Sequence, residues 1–173
     1  MSLAVLQNLL DLFAAPTYLE ISVDHGMTFH GIRASPKVAV DPVFSFDERP
    51  DPPRRCTVVY HEVSDDVYFG NMASSADRFD VIYLDGLHTF EQTLRDLIKS
   101  LSFLSSRRVI IIDDVLPNFY PASLPLQTDV QAVMTYLKMD KNQAWIDYVY
   151  KLGFFIESFF QQFSFATVQE GHG

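Results

Sequence analysis

Four apolar runs, each carrying an acid at or near its carboxyl end, most constrain what this chain can fold into. Tyr18-Leu19-Glu20-Ile21-Ser22-Val23 leads into Asp24-His25-Gly26, and Lys37-Val38-Ala39-Val40 ends on Asp41. Phe79-Asp80-Val81-Ile82-Tyr83-Leu84 ends on Asp85, and Arg108-Val109-Ile110-Ile111-Ile112 ends on Asp113-Asp114. Thr57 to His61 adds a shorter apolar run. Runs of this length, rich in β-branched and aromatic residues, read as strands, and those apolar on both faces read as parallel strands buried between layers. Helical patterns separate them: Thr28 to Ala34, and Thr89 to Leu104 with Leu94, Leu97, Ile98 and Leu101 at helical spacing. This alternation predicts a doubly wound α/β fold, a mostly parallel sheet with helices on both faces. Such sheets bind ligands outside the carboxyl ends of their strands. Glu20, Asp41, Asp85, Asp113 and Asp114 are therefore expected on one rim.

The remaining segments complete that plan. Met1 to Ala15 has Leu3, Leu6, Leu10 and Phe13 at helical spacing; with Asp11 inside it and no Lys or Arg before its apolar run, it reads as an amphipathic helix on the sheet rather than a signal peptide. No stretch is long and clean enough to span a bilayer. Pro50, Pro52 and Pro53 make Pro42 to Pro53 a loop, since proline neither continues a helix nor donates to a central ladder. Val115 to Thr128, with Pro117, Asn118, Phe119, Tyr120, Pro121 and Pro125, reads as a long ordered loop acting as a lid. Asp129 to Met139 and Trp145 to Gln162 read as helices. The second has Tyr148, Leu152, Phe155 and Phe159 on one face and Val149, Ile156, Phe160 and Phe163 on another, so it is expected to be deeply buried or half of a homo-oligomer interface. Phe163 to Val168 reads as a last strand. With 173 residues and no internal repeat, residues 1–173 are expected to form a single domain. The 22 acids against 13 Lys plus Arg would repel phosphate backbones, so nucleic acid is not an expected partner, although Arg54-Arg55 and Arg107-Arg108 are local basic pairs. The lone Cys56 cannot form an intramolecular disulfide and fits a reducing, cytoplasmic setting.

Two constellations carry chemistry. In Glu20-Ile-Ser-Val-Asp-His-Gly26 an acid ends a strand and Gly26 lets the backbone turn closely around a ligand. A pyrophosphate would lack its cradle there, because one glycine stands where G-x-G-x-x-G needs three; a phosphate-free cofactor with a positive sulfonium suits the acidic turn better. Asp41 stands at the end of the next strand, where an acid accepts hydrogen bonds from ribose hydroxyls or merely caps the turn before Pro42. The second constellation is Asp85-Gly86-Leu87-His88 with Asp113-Asp114. Two carboxylates about 4 Å apart repel by roughly 4 kcal/mol at an effective dielectric near 20, so the cluster must share protons, stay solvated or hold a cation. All-oxygen ligation suits Mg²⁺, beside which a substrate hydroxyl would be acidified and His88 could take its proton. Packing at a helix start is the alternative for His88, and a turn acid the alternative for Asp114. Ser64-Asp65-Asp66 either meets an adenine ring or is a solvated turn. His25, His30 and His61 read as structural. No serine nucleophile elbow, P-loop or zinc spacing is present.

With Tyr18 to Phe29, Val38-Ala-Val-Asp-Pro42, Phe79 to Glu91 and Val109 to Asp114 in view, the chain resembles the class I S-adenosylmethionine-dependent methyltransferases, in the branch of metal-dependent sugar O-methyltransferases. The resemblance spans nearly the whole chain and is most specific at Asp-Gly-Leu-His plus Asp-Asp. It implies a Rossmann-like methyltransferase fold and methyl transfer to a hydroxyl of a small, sugar-like acceptor. It further implies that Glu20 and Gly26 flank the methionine portion of the cofactor and that Asp41 binds its ribose; Ser22, Ser64, Asp65 and Asp85 are further expected cofactor contacts. Asp85, Asp113 and Asp114 would hold a divalent cation, with His88 as base. Ser22 departs from the glycine the family has at its place. Thr167 to Gly173 resembles the turn between the family's last two strands, so either the sequence is truncated before the final strand or a partner completes the edge. A non-catalytic methyltransferase-like scaffold is the other reading.

Overall fold

The computed structural model describes residues 3–47, 56–117, 119–139 and 148–168. Expectations that fall on Met1, Pro50, Pro52, Pro53, Arg54, Arg55, Asn118, Trp145 and Gln169 to Gly173 lie outside the described residues. The chain divides into two compact units, one of Met1–Gly86 with Arg95–Asp113 and the other of Leu87–Leu94 with Asp114–Gly173.

In the first unit helix α1 (Leu3–Leu10) precedes β1 (Tyr18–Ile21), α2 (Met27–Gly31), β2 (Lys37–Asp41), β3 (Val58–Glu62) and a single turn α3 (Asp65–Val67) that widens into a π-helical turn over Tyr68–Met72. Then come β4 (Phe79–Leu84), α4 (Phe90–Ser100), which runs across the division between the units, a 3₁₀ turn (Leu101–Phe103) and β5 (Leu104–Ile112). The five strands form one sheet in the order β3-β2-β1-β4-β5, every neighbouring pair parallel. Strand order reverses between β1 and β4, so the switch point of this doubly wound sheet lies at the carboxyl ends of those two strands. Glu20 pairs in register with Ala39 on one side and Tyr83 on the other.

The alternation of side chains across a strand explains the layers. Tyr18, Ala39, Val81, Tyr83 and Ile111 share a core with Leu6 and Leu10 of α1 and Phe29 and Ile32 at α2. Leu19, Ile21, Val40, Ile82 and Leu84 alternate with them and are also buried, so both faces of the sheet are covered. Asp80 fastens the amino-terminal end of the sheet. It is 8% exposed, accepts the Thr17 amide at 2.9 Å and receives Arg108 Nε at 2.5 Å, linking the approach to β1 with β4 and β5. Arg108 also lies over the Phe13 ring, 4.4 Å from its centroid.

Several boundaries differ from expectation. The helix expected to run to Leu104 ends at Ser100, and β5 starts at Leu104 rather than Arg108. A bulge absorbs the added length, since β5 advances from Leu104 to Val109 while β4 advances only from Phe79 to Val81. In the second unit the expected lid contains a 3₁₀ turn (Tyr120–Ser123) seated on buried Pro121 and Ala122, and α5 (Gln127–Tyr136) begins before the lid was expected to end. Of the Phe-rich helix expected over residues 145–162, the described part from Tyr148 onward is helical over α6 (Lys151–Phe159); Leu152 is buried, whereas Phe154 and Phe159 are 67% and 70% exposed. The strand expected over Phe163 to Val168 does not form. Its residues find no strand partner among the described residues and leave Phe163, Phe165 and Val168 exposed.

Replacing Asp80 with Ala leaves the Thr17 amide unsatisfied and the Arg108 charge unpaired. The expected loss is about 3 kcal/mol of unfolding free energy, against about 1 kcal/mol for Arg108→Ala, both measured by urea denaturation.

Candidate functional site

The loop from β1 to α2 holds three residues in the left-handed region: Ser22 at φ 64°, Asp24 at φ 47° and Gly26 at φ 73°. Left-handed residues at alternate positions are what a glycine-rich turn ordinarily provides, and here two of the three carry side chains. Aspartate tolerates this conformation, but serine there is strained. Gly26 has no alternative, because a Cβ on it would come within 2.7 Å of the His30 ring and 3.1 Å of Phe46. His30, expected to be structural, packs edge-on to Phe46 with ring centroids 4.7 Å apart and lies 3.3 Å from Tyr60 Oη. His25 Nδ1 lies 3.2 Å from the carbonyl oxygen of Ser45.

Asp41 uses both oxygens on backbone amides, accepting Asp24 N–H at 2.9 Å and Val43 N–H at 2.8 Å. It therefore fixes the β1 loop and the turn after β2 at once. A carboxylate has about four lone-pair sites, so two remain for ribose hydroxyls.

Glu20 is 2% exposed and accepts a hydrogen bond from Tyr18 Oη at 2.6 Å. Burial pushes its carboxyl up from 4.5 to about 8; the Tyr18 bond opposes the rise, the charge of Asp85 adds to it, and Lys37 offsets part of it. Lys37, itself buried, donates to the Phe29 and Ile32 carbonyls at 2.7 and 3.1 Å and so closes the end of α2. On β4, Tyr83 Oη donates to Asp113 Oδ2 at 2.5 Å and lies 3.2 Å from Asp85 Oδ2. Burial, together with those two acids, holds the Tyr83 phenol far above its ordinary range, so it stays a donor. One phenol proton thus stands between two carboxylates.

The other expected residues fall into two groups. His88 Nε2 and Asp114 Oδ2, both in the second unit, are 3.6 Å apart, and Asp114 is left-handed at φ 50°. Ser64 caps α3 by accepting Val67 N–H at 3.3 Å, and Asp65 accepts Asp66 N–H at 2.8 Å. Asp66 is bridged by Lys99 and, at 3.5 Å, by Arg95. Asp65, Asp66 and Asp96 are the one acidic trio among the described residues whose ligand atoms all lie within 4.8 Å of one another.

Sequence reasoning missed Tyr18, Tyr83 and Asp96. A signal for the tyrosines was present: Tyr18-Leu-Glu20 and Tyr83-Leu-Asp85 each set a phenol two residues before an acid, hence on the same face of the strand. Asp96 is 2% exposed on the buried side of α4, beside Thr93, Leu97 and Ser100, and a Cβ on Gly86 would lie 3.6 Å from both Asp96 Oδ2 and Ser22 Oγ. Only the fold brings those three together.

No family model matches this chain, and no curated protein matches it. Among solved structures it is similar to a protein of Staphylococcus aureus described as a caffeoyl-CoA O-methyltransferase, at 14% identity over 78% of this chain and 71% of that one, with a TM-score of 0.47. A likeness at that level says nothing of chemistry, and the doubly wound fold stands on its own strand order. No helix is long and apolar enough to cross a membrane among the described residues.

Ser22→Gly is expected to raise unfolding free energy by about 1 kcal/mol, the relieved strain exceeding the added chain entropy. Asp24→Gly should gain less. The raised Glu20 carboxyl has its own signature, since the stability it contributes is full below about 4.5 and lost as pH rises through about 8. Glu20→Gln keeps an acceptor for Tyr18 and should therefore match the parent near pH 4.5 but exceed it by a few kcal/mol at pH 8 in urea titrations.

Proposed function

We propose that the chain is an S-adenosylmethionine-dependent methyltransferase acting on a hydroxyl of a small, sugar-like molecule with help from a divalent cation. The observation that carries this reading is the left-handed alternation at Ser22, Asp24 and Gly26, on a parallel sheet whose switch point is lined by Glu20, Asp41 and Asp85. A close-turning loop and strand-end acids with no phosphate cradle suit a cofactor that has a ribose, an ammonium and a sulfonium but no phosphate.

In this reading Asp41 fixes the turn with two lone pairs and offers the others to the ribose. Ser22 and Gly26 set how closely the methionine portion approaches, Glu20 supplies the buried acid beneath it, and Ser64 and Asp65 border the adenine. The donor set suits a hard cation, because Asp85 and Asp113 already converge on the single Tyr83 proton. Those two acids, with Asp114 next in the chain, would hold Mg²⁺ or a similar ion. Bound there, the ion would lower the pKa of an acceptor hydroxyl. His88, held by Asp114, accepts that proton as the acceptor oxygen forms its bond to the methyl carbon and the carbon–sulfur bond breaks, giving an ether and the neutral thioether product. A cytoplasmic setting goes with this chemistry, since it leaves Cys56 reduced.

A second reading, a scaffold that keeps the fold without the cofactor, is favoured by one observation. Both Asp41 oxygens are engaged by backbone, and the segment after β2 is tied down by Ser45 N–H on the Asp24 carbonyl at 3.0 Å. Calorimetry separates the two. The enzyme reading expects saturable binding of S-adenosylmethionine and of its demethylated product with dissociation constants below about 100 µM. Absence of heat with either ligand would leave the scaffold. If binding is found, His88→Ala and Asp113→Asn should each lower turnover on a hydroxylated acceptor at least about 100-fold while changing cofactor affinity little. Full activity in both would remove the base and metal assignments.

A further inference from the structure

Tyr83 sits where β1, β4 and β5 run side by side, paired with Glu20 on one flank and Ile111 on the other. It is 1% exposed, and its ring belongs to the core with Tyr18, Ala39, Val81 and Ile111, so its hydroxyl is carried on a side chain with no room to swing. The parallel ladder continues for one residue past the strand ends: Asp85 N–H donates to the Ile21 carbonyl at 3.1 Å and Asp113 N–H to the Leu84 carbonyl at 3.0 Å. Those bonds fix both backbones and leave only the torsions of two short side chains to decide where the carboxylates point. Asp85 and Asp113 follow Tyr83 and Ile111 by two residues, hence lie on the same face of the sheet. Tyr83 Oη donates to Asp113 Oδ2 at 2.5 Å and lies 3.2 Å from Asp85 Oδ2, so one rigid phenol reaches an oxygen of each. All three residues belong to the first compact unit, and both acids are only half-buried.

We propose that Tyr83 is a positioning residue, a phenol that orients Asp85 and Asp113 together and thereby selects a small divalent cation over a larger one; the inference rests on the cation reading given above. Mg²⁺ demands near-ideal octahedral geometry at about 2.1 Å, whereas Ca²⁺ accepts irregular sets of oxygens at about 2.3 to 2.6 Å. Two carboxylates free to turn suit the more tolerant ion. Two held by a common donor suit the stricter one. Removing the hydrogen-bond partner of a ligating side chain ordinarily lowers metal affinity about ten- to a hundredfold. A tyrosine that merely packed the core would, when altered, weaken every ion alike. A tyrosine that sets the arrangement of two ligands changes which ion is preferred. Phenylalanine in its place keeps the buried ring and takes away only the donor, so it separates the two roles.

The test is calorimetric titration of the full chain, stripped of metal by a chelator, with Mg²⁺ and separately with Ca²⁺. Tyr83→Phe is expected to weaken Mg²⁺ binding at least about tenfold and Ca²⁺ binding by no more than about threefold, with far-ultraviolet circular dichroism unchanged. Asp85→Glu keeps the charge, adds a methylene and leaves the core alone; it disturbs the same arrangement and should shift the preference toward Ca²⁺ even if Tyr83→Phe does not fold. Unchanged Mg²⁺ affinity in Tyr83→Phe, equal loss of both ions, or the parent's preference in Asp85→Glu would overturn the positioning role and leave the cation reading standing. Absence of Mg²⁺ binding by the parent chain would remove the cation reading and this inference with it. Mg²⁺ affinity lowered by Asp66→Asn but not by Asp113→Asn would put the ion at Asp65, Asp66 and Asp96 and overturn both.

Discussion

Because all five strands run the same way, the carboxylates at the ends of β1, β2, β4 and β5 crowd one rim, and relieving their repulsion is the constraint around which the site is arranged. Each is relieved differently. Asp41 receives two backbone amides, Asp113 receives the Tyr83 phenol, and Glu20 receives the Tyr18 phenol while holding its own proton up to about pH 8. The solutions are coupled. Ordering the β1 loop through Asp41 also fixes Asp24 in its left-handed conformation, and the buried Glu20 responds to the charge of Asp85 on the neighbouring strand. A rim relieved in this way still favours any positive group placed against it, the property on which the proposed cationic cofactor and metal ion depend.

The strands were legible because their signal is local. Tyr18, Lys37, Val58 and Phe79 begin strands within a residue of where the apolar runs begin, and the acids at their ends follow from counting. β5 was read too short because Leu104-Ser-Ser-Arg lacks that pattern and joins the sheet only through a bulge, a tertiary feature. Phe163 to Val168 was overread for the opposite reason. Its alternation of Phe, Ser, Phe, Ala is strand-like, but a strand needs a neighbour to bond to, and none of the described residues supplies one.

The site was legible in its acids and not in what governs them. Glu20, Asp41, Asp85 and Asp113 were named from position alone, yet Glu20 holds its proton because it is buried, with the charge of Asp85 adding to the effect and the Tyr18 bond opposing it. The sequence marks Ser22 only as a departure from the glycine that the resemblance implies. The backbone shows what the departure does, since the serine holds a glycine's conformation and its hydroxyl lies near Gly86. Conformation outlasting the residue that normally allows it indicates that the turn's shape matters to the chain.

The protonation of Glu20 joins burial, the phenol network and the acidic rim in one quantity. Carboxyl carbon NMR on glutamate-labelled protein, with Glu20→Gln to identify the resonance, measures it directly. The account predicts a midpoint near 8 for Glu20 in the free protein. A midpoint at an ordinary glutamate value of about 4.3 would mean that water reaches the carboxylate and that the rim is not the closed, coupled site described above.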